Sequence, residues 1–286
     1  MATSRFPNSV EDQVRQATIS IRAASQDGIH RHSVRLLLPI IGATELDDWP
    51  GGARQMMEAA FPLVKDIMTQ LPSAKDSYDN KKKSIINESV IDQADGVRAM
   101  FMQASTGPED DSLAVLLPSA DTVEQLKKLD MEVGPDREYI LVNSQWVRKT
   151  DFGGFFGMGS SDSINFVENF QPIFHCTNVM VEGDIVRILR TYPGPWRVYL
   201  RNESNEDGKE KIDWIEIGTK DVMKTKTSEW QKSQMKNINS DGEKLFDFGK
   251  PTYENIREMI VSWEGYVPKS LSERASAAFT FIKDTL

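Results

Sequence analysis

The chain changes rhythm at Asp151. Before it, segments with apolar residues at helical spacing alternate with short, continuously apolar runs. After it, short runs rich in β-branched and aromatic residues follow one another with tight turns. Helix–strand alternation predicts an open sheet of parallel strands with helices on its faces, because parallel neighbours need a long crossover. Serial strands joined by tight turns predict antiparallel hairpins. The expected fold is therefore α/β: a mostly parallel, Rossmann-like sheet flanked by helices, extended by antiparallel hairpins in the C-terminal half.

Ser9 is placed to cap a helix whose apolar stripe is Val10, Val14, Ala17, Ile21 and Ala24, with Asp12 three residues on in the manner of a capping box and Gly28 at the end. Residues 33–41 read as a buried strand, and Pro50-Gly51-Gly52 opens a second helix over 53–70. Residues 84–91 are the second strand, with Asp92 at its carboxyl end, and 94–104 the next helix. A third strand over 113–117, a helix over 122–129 capped by Asp121, and a fourth strand over 139–143 follow. Beyond a glycine-rich stretch, a short helix over 163–170 precedes strands at 173–181, 185–191, 195–202 and 211–218. The expectation is a single α/β domain over 1–286: a parallel part at 6–150, an antiparallel extension at 151–218, a polar Lys-rich excursion at 219–250 and helices at 251–286.

Composition narrows the function. With 34 Lys+Arg against 43 Asp+Glu the net charge is −9, so no global attraction to nucleic-acid phosphates is expected. No apolar run approaches the roughly 20 residues of a membrane helix. The residues before Phe6 are too few for a signal or transit peptide, so the expectation is a cytosolic protein or a mature form. The lone Cys176 forms no internal disulfide and reads as a small buried hydrophobe. His30 and His32 are too few for a metal site and read as a solvated pair before the first strand, and His175 and Cys176 point to opposite faces of theirs. No catalytic triad, metal set or phosphate-binding loop is present, so no catalytic residue, metal or cofactor is expected.

Ligands of open parallel sheets bind beyond the carboxyl ends of strands. There the sequence offers Asp92, Ser119, Asn143, Ser144 and the glycines Gly153 and Gly154, with helix capping as the alternative role for Ser119 and Asp121. The loop from Asp151 to Ser160 has no dinucleotide spacing, and its Phe155 and Phe156 suit partner docking better than a phosphate. Tyr192-Pro193-Gly194-Pro195-Trp196-Arg197 reads either as a recognition surface or as a sheet corner with Tyr192 and Trp196 in the core. Residues 220–236 carry five lysines, Lys224 and Lys226 among them, interleaved with Met223, Trp230 and Met235: a solvated loop, or a contact for an anionic membrane or acidic partner.

The segment from Phe166 to Asn202 is distinctive: Phe166 and Phe170 on a helix, a strand, then Arg190, Tyr192-Pro193 and Trp196. Together with Phe6-Pro7 ahead of an alanine-rich helix and the strands at 115–119 and 141–143, it resembles the chloroplast and cyanobacterial domain-of-unknown-function family numbered nineteen ninety-five. The sequence departs from that family where its usual glycine after the strand-end aspartate is displaced, in Asp92-Gln93-Ala94-Asp95-Gly96. The family includes an assembly factor for photosystem II accumulation and has no established enzymatic activity. The resemblance implies a non-catalytic auxiliary protein in the stroma or on the stromal face of the thylakoid, binding photosystem or other thylakoid membrane proteins. The alternative is a small-molecule or nucleotide-binding α/β enzyme using the strand-end crevice.

Overall fold

The computed structural model of the protein describes residues 5–38, 52–72, 84–93, 96–146, 149–153, 161–206, 209–222 and 248–277. One nine-stranded sheet runs through both halves of the chain in the order β2-β3-β4-β5-β1-β6-β7-β8-β9. Its strands are β1 (Arg31–Arg35), β2 (Ile85–Asp92), β3 (Val97–Gln103), β4 (Ser112–Leu116), β5 (Glu138–Val142), β6 (Gln171–Val181), β7 (Asp184–Thr191), β8 (Trp196–Glu206) and β9 (Lys209–Lys220). The helices are α1 (Val10–Gln26), α2 (Ala53–Gln70), α3 (Val123–Val133), α4 (Ser161–Val167) and α5 (Tyr253–Ser262).

The sheet is mixed, not mostly parallel, and a Rossmann-like assignment is not supported. Only β4–β5, β5–β1 and β1–β6 pair in parallel; the other five pairings are antiparallel. Part of the difference comes from residues 94–104, where the sequence predicts a helix and the chain forms β3. Ala and Met favour helix locally, but the apolar residues alternate between two cores: Val97, Ala99 and Phe101 on one face, Met100 and Met102 on the other. With both faces covered, the strand shows no polar period. β2, β3 and β4 then form antiparallel hairpins in place of crossovers.

α1 and α2 pack Val14, Ala17, Ile21, Leu63, Val64 and Ile67 on one face of the sheet. α3 and α4 cover the other face at β3–β5 with Leu126 and Val167, and α5 covers it at β7–β8 with Ile256 and Ile260. Ser9 caps α1 as expected, its side chain accepting from the Asp12 amide. Asp121 does not cap α3: it lies within a 3-10 turn, Ala120–Thr122, that leads into the helix. Nor are His30 and His32 a solvated pair. His32 is buried, and both histidines bond the Glu138 carboxylate, His30 Nδ1 at 3.0 Å from Oε1 and His32 Nε2 on Oε2, which ties β1 to β5 at their amino ends.

Candidate functional site

At the carboxyl end of β1 a row of side chains crosses four strands. Arg35 opposes His175 on β6, His175 opposes Arg190 on β7, and Arg190 opposes Trp196 on β8. Directly opposed residues share a face. Strand alternation assigns that face: Val34, Phe174 and Leu189 enter the core beneath α1 and α2, so their neighbours Arg35, His175 and Arg190 turn the other way. β1 stops at Arg35, whereas β6 continues to Val181. The row therefore lies along a step in the sheet, with β6 and β7 as its wall.

The guanidinium groups are braced by carbonyls, not by acids. Arg35 Nη2 donates to the carbonyl of Ser144 at 2.8 Å. Arg190, 4% exposed, donates from Nε to the Pro172 carbonyl at 2.5 Å and from Nη1 to that of Gly194. The His175 and Trp196 rings meet edge-on at 5.2 Å, with the Arg190 guanidinium 5.9 Å from the indole. The indole N–H of Trp196 donates to the Phe248 carbonyl at 3.1 Å, anchoring the segment that carries Lys250. His175 Nε2 is shielded and has no hydrogen-bond partner.

The electrostatics are one-sided. Burial, then the charges of Lys250, Arg35 and Arg190, hold the His175 imidazole well below its ordinary value, so it is neutral at physiological pH. Burial lowers Arg35 and pulls Arg190 down to about 10, the latter opposed by Tyr192; both stay charged at neutral pH. Among the described residues no carboxylate figures in the groups acting on these three side chains. Charges taken out of water are normally paired, so the row is short of negative charge and suited to an oxyanion.

A cavity of about 190 Å³ at the amino ends of the strands, lined by Arg31, Asp130, Pro135, Phe166, Asn169 and Phe170, is different in kind. Its Arg31 is fully engaged, with Nε on Asp130 at 2.6 Å and its other nitrogens on the carbonyls of Gly134 (2.6 Å) and Arg137 (2.9 Å). That cation is already neutralised.

The residues singled out in the sequence do not assemble into one crevice. Asp92 closes the β2–β3 hairpin at the outer edge of the sheet, with β3, β4 and β5 between it and β1. Ser119, after β4, has a shielded Oγ without a partner. Asn143 is a latch: its side chain accepts from the Leu36 N–H at 2.7 Å and donates to the Leu36 carbonyl at 3.0 Å. Ser144 reaches the row through its carbonyl. Gly153 ends a 3-10 turn at φ 66°. Gly154, Phe155, Phe156, Lys224, Lys226 and Trp230 lie outside the described residues.

Of the aromatic corner, Trp196 is core at 1% exposure and is no part of a surface. Tyr192 donates its O–H to Asp27 at 2.7 Å, beyond the end of α1. Arg197 forms a two-pronged pair with Glu216 at 2.8 and 3.0 Å. Sequence reading passes over Arg35, His175 and Lys250 as site residues; for His175 the available signal was a polar residue inside an apolar run, whereas Arg35 ends a largely polar strand and Lys250 lies outside the strands. Among the described residues no group of three or more His, Cys, Asp or Glu is placed to hold a metal, and no helix is long and apolar enough to cross a membrane.

Fold and site together define a mixed α/β protein with a cationic row at the step beside its central parallel strands. The chain belongs to the domain-of-unknown-function family DUF1995, which it matches over residues 7–219. No curated protein and no solved structure matches it.

Proposed function

We propose that the protein binds a small anionic molecule at the step between β1 and β6. The observation that carries this reading is the row Arg35–His175–Arg190, on which, among the described residues, no carboxylate acts. Arg35 supplies the charge that attracts the ligand. Arg190, held by two carbonyls, fixes the floor on which His175 and Trp196 stand. Titration calorimetry with inorganic phosphate, sulfate, phenyl phosphate and benzoate tests it. The expected result is saturable binding of at least one anion, weakened at least tenfold by Arg35→Ala. Binding of none of them, or binding indifferent to Arg35, would refute it.

A second reading is an auxiliary protein of the chloroplast stroma or stromal thylakoid face that binds photosystem proteins, as the family resemblance suggests. The observation in its favour is β2, the outermost strand, where Ile85 and Val90 are 57% and 60% exposed. An edge strand with exposed apolar side chains is a template for pairing with another chain. Capture from detergent-treated thylakoids, compared between the wild type and Val90→Lys, tests this. Recovery of photosystem subunits by the wild type alone supports it, and equal recovery by both refutes the use of β2.

A further inference from the structure

We propose that the cavity at the amino ends of the strands binds a neutral, amino-substituted heteroaromatic ring of the nucleobase class, independently of the anion site. Its volume of about 190 Å³ sets the size. A dry apolar cavity of about 150 Å³ holds benzene, and pockets for drug-sized ligands span roughly 300–1,000 Å³. This one therefore takes a single ring system and not a dinucleotide. Three stretches of chain build it: Arg31 at the start of β1, Asp130 on α3 with Pro135 beyond it, and Phe166 on α4 with Asn169 and Phe170 in the turn toward β6. Backbone bonds hold that turn, from the Asn169 N–H to the Phe166 carbonyl and from the Phe170 N–H to that of Val167, both at 3.2 Å. Phe170 is buried and meets Tyr139 edge-on at 5.1 Å and Phe166 at 5.5 Å, so the aromatic wall is in place before a ligand arrives. The charge balance favours a neutral ligand. Arg31 is matched by the Asp130 carboxylate and by the carbonyls of His30, Gly134 and Arg137, so a cation would meet Arg31 and an anion would meet Asp130. Two polar groups are left for a ligand: among the described residues neither Asp130 Oδ2 nor the exposed Asn169 carboxamide has a hydrogen-bond partner. Oδ2 accepts an N–H, and the carboxamide both donates and accepts. A ring with an exocyclic amino group beside a ring nitrogen, as in adenine, offers the matching edge, which an Asn side chain engages with two hydrogen bonds. Its faces suit the phenylalanine wall.

Ligand-observed NMR titrations of the full chain with adenine, and with purine, which has the same ring system without the amino group, test this. The expected result is saturable binding of adenine, with purine at least fivefold weaker. Asn169→Ala, at an exposed position, weakens adenine about tenfold, and Phe166→Ala weakens it at least fivefold. Adenosine monophosphate separates two sources of the ring: binding as tight as that of adenine assigns a nucleotide whose sugar reaches solvent past Pro135, and its exclusion assigns the free base. Excess inorganic phosphate leaves adenine bound. Displacement by phosphate would move adenine to the cationic row and overturn the proposal, whereas failure of the anion site leaves it standing. No saturable binding of adenine, purine binding as tightly as adenine, or binding indifferent to both substitutions would each overturn it. The comparison of adenine with purine uses the wild type alone and decides the matter even where Phe166→Ala does not fold.

Discussion

Asn143→Ala separates the latch from a ligand contact. Asn143 follows β5 with φ 51°, and its amide pairs with both backbone groups of Leu36 while its own N–H donates to the Val34 carbonyl at 2.9 Å. The side chain thus extends the β5–β1 ladder beyond the point where the backbones can pair. Alanine removes two hydrogen bonds, each worth about 1 kcal/mol net. It also places a Cβ without a compensating polar group in the left-handed region, at a cost of about 1 kcal/mol. The sum is about 3 kcal/mol, which for a chain of 286 residues lowers the melting temperature by roughly 5 °C. Thermal unfolding followed by circular dichroism, with urea unfolding as a check, measures it. A loss below about 1 kcal/mol would refute the latch. So would unchanged stability with abolished anion binding, which would return Asn143 to the ligand.

Three further outcomes follow from the titrating groups. Without ligand, His175 is held neutral, so below the unfolded value of about 6.5 the unfolded chain binds a proton that the native one refuses. Stability falls as the pH drops through that range, and His175→Gln removes this component in urea titrations at pH about 5 and 7; identical acid limbs would refute it. Burial raises the Glu138 carboxyl, but the bond and charge of His32, with help from Ser25 and His30, outweigh it and hold the carboxyl low. Its contribution is complete above the unfolded value of 4.5 and is lost as pH falls through the folded value. Glu138→Gln removes the carboxylate that both histidines bond and costs about 1.5 kcal/mol in urea unfolding; unchanged stability would count against the cross-link. Burial pushes the Cys176 thiol up to about 12, and the residue is 1% exposed. Iodoacetamide therefore labels it only in denaturant, and rapid labelling of the native protein would contradict its placement.

What was legible in the sequence was local. The α1 stripe and its Ser9 cap, the apolar runs of β4 and β5, and the hairpins from β6 to β9 each depend on residues near one another in the chain. The covered strand β3 was not legible, because a segment packed on both faces loses the alternation that marks a strand. The site was least legible. Ser119, Asn143 and Ser144 were found from the rule that ligands lie at strand ends, yet that rule does not distinguish a polar atom facing a ligand from one completing a ladder. Asn143 completes a ladder. Arg35, His175 and Arg190 are brought together by register across three strands, which no sequence window contains.

The mixed topology matters to the chemistry. β5 and β6, the strands adjoining β1, both run parallel to it; in an all-parallel sheet β6 would be followed by a long crossover instead of a hairpin partner. Here β6 runs past the end of β1 to Val181, and β7 returns along it in antiparallel register. His175 and Arg190 therefore stand on paired strands whose backbone positions are fixed by hydrogen bonds on both sides, and rigid elements hold binding groups more closely than loops do. Arg190 spends two of its nitrogens on carbonyls, which turns a flexible side chain into part of the wall. Among the described residues Arg35 has a single such bond. Arg190→Lys keeps the positive charge but loses the two-pronged brace. It should therefore weaken anion binding about as much as Arg190→Ala does, while Arg35→Lys retains most of the affinity. Calorimetry with phenyl phosphate reads both, and the reverse order would show that Arg190 acts as charge and Arg35 as shape.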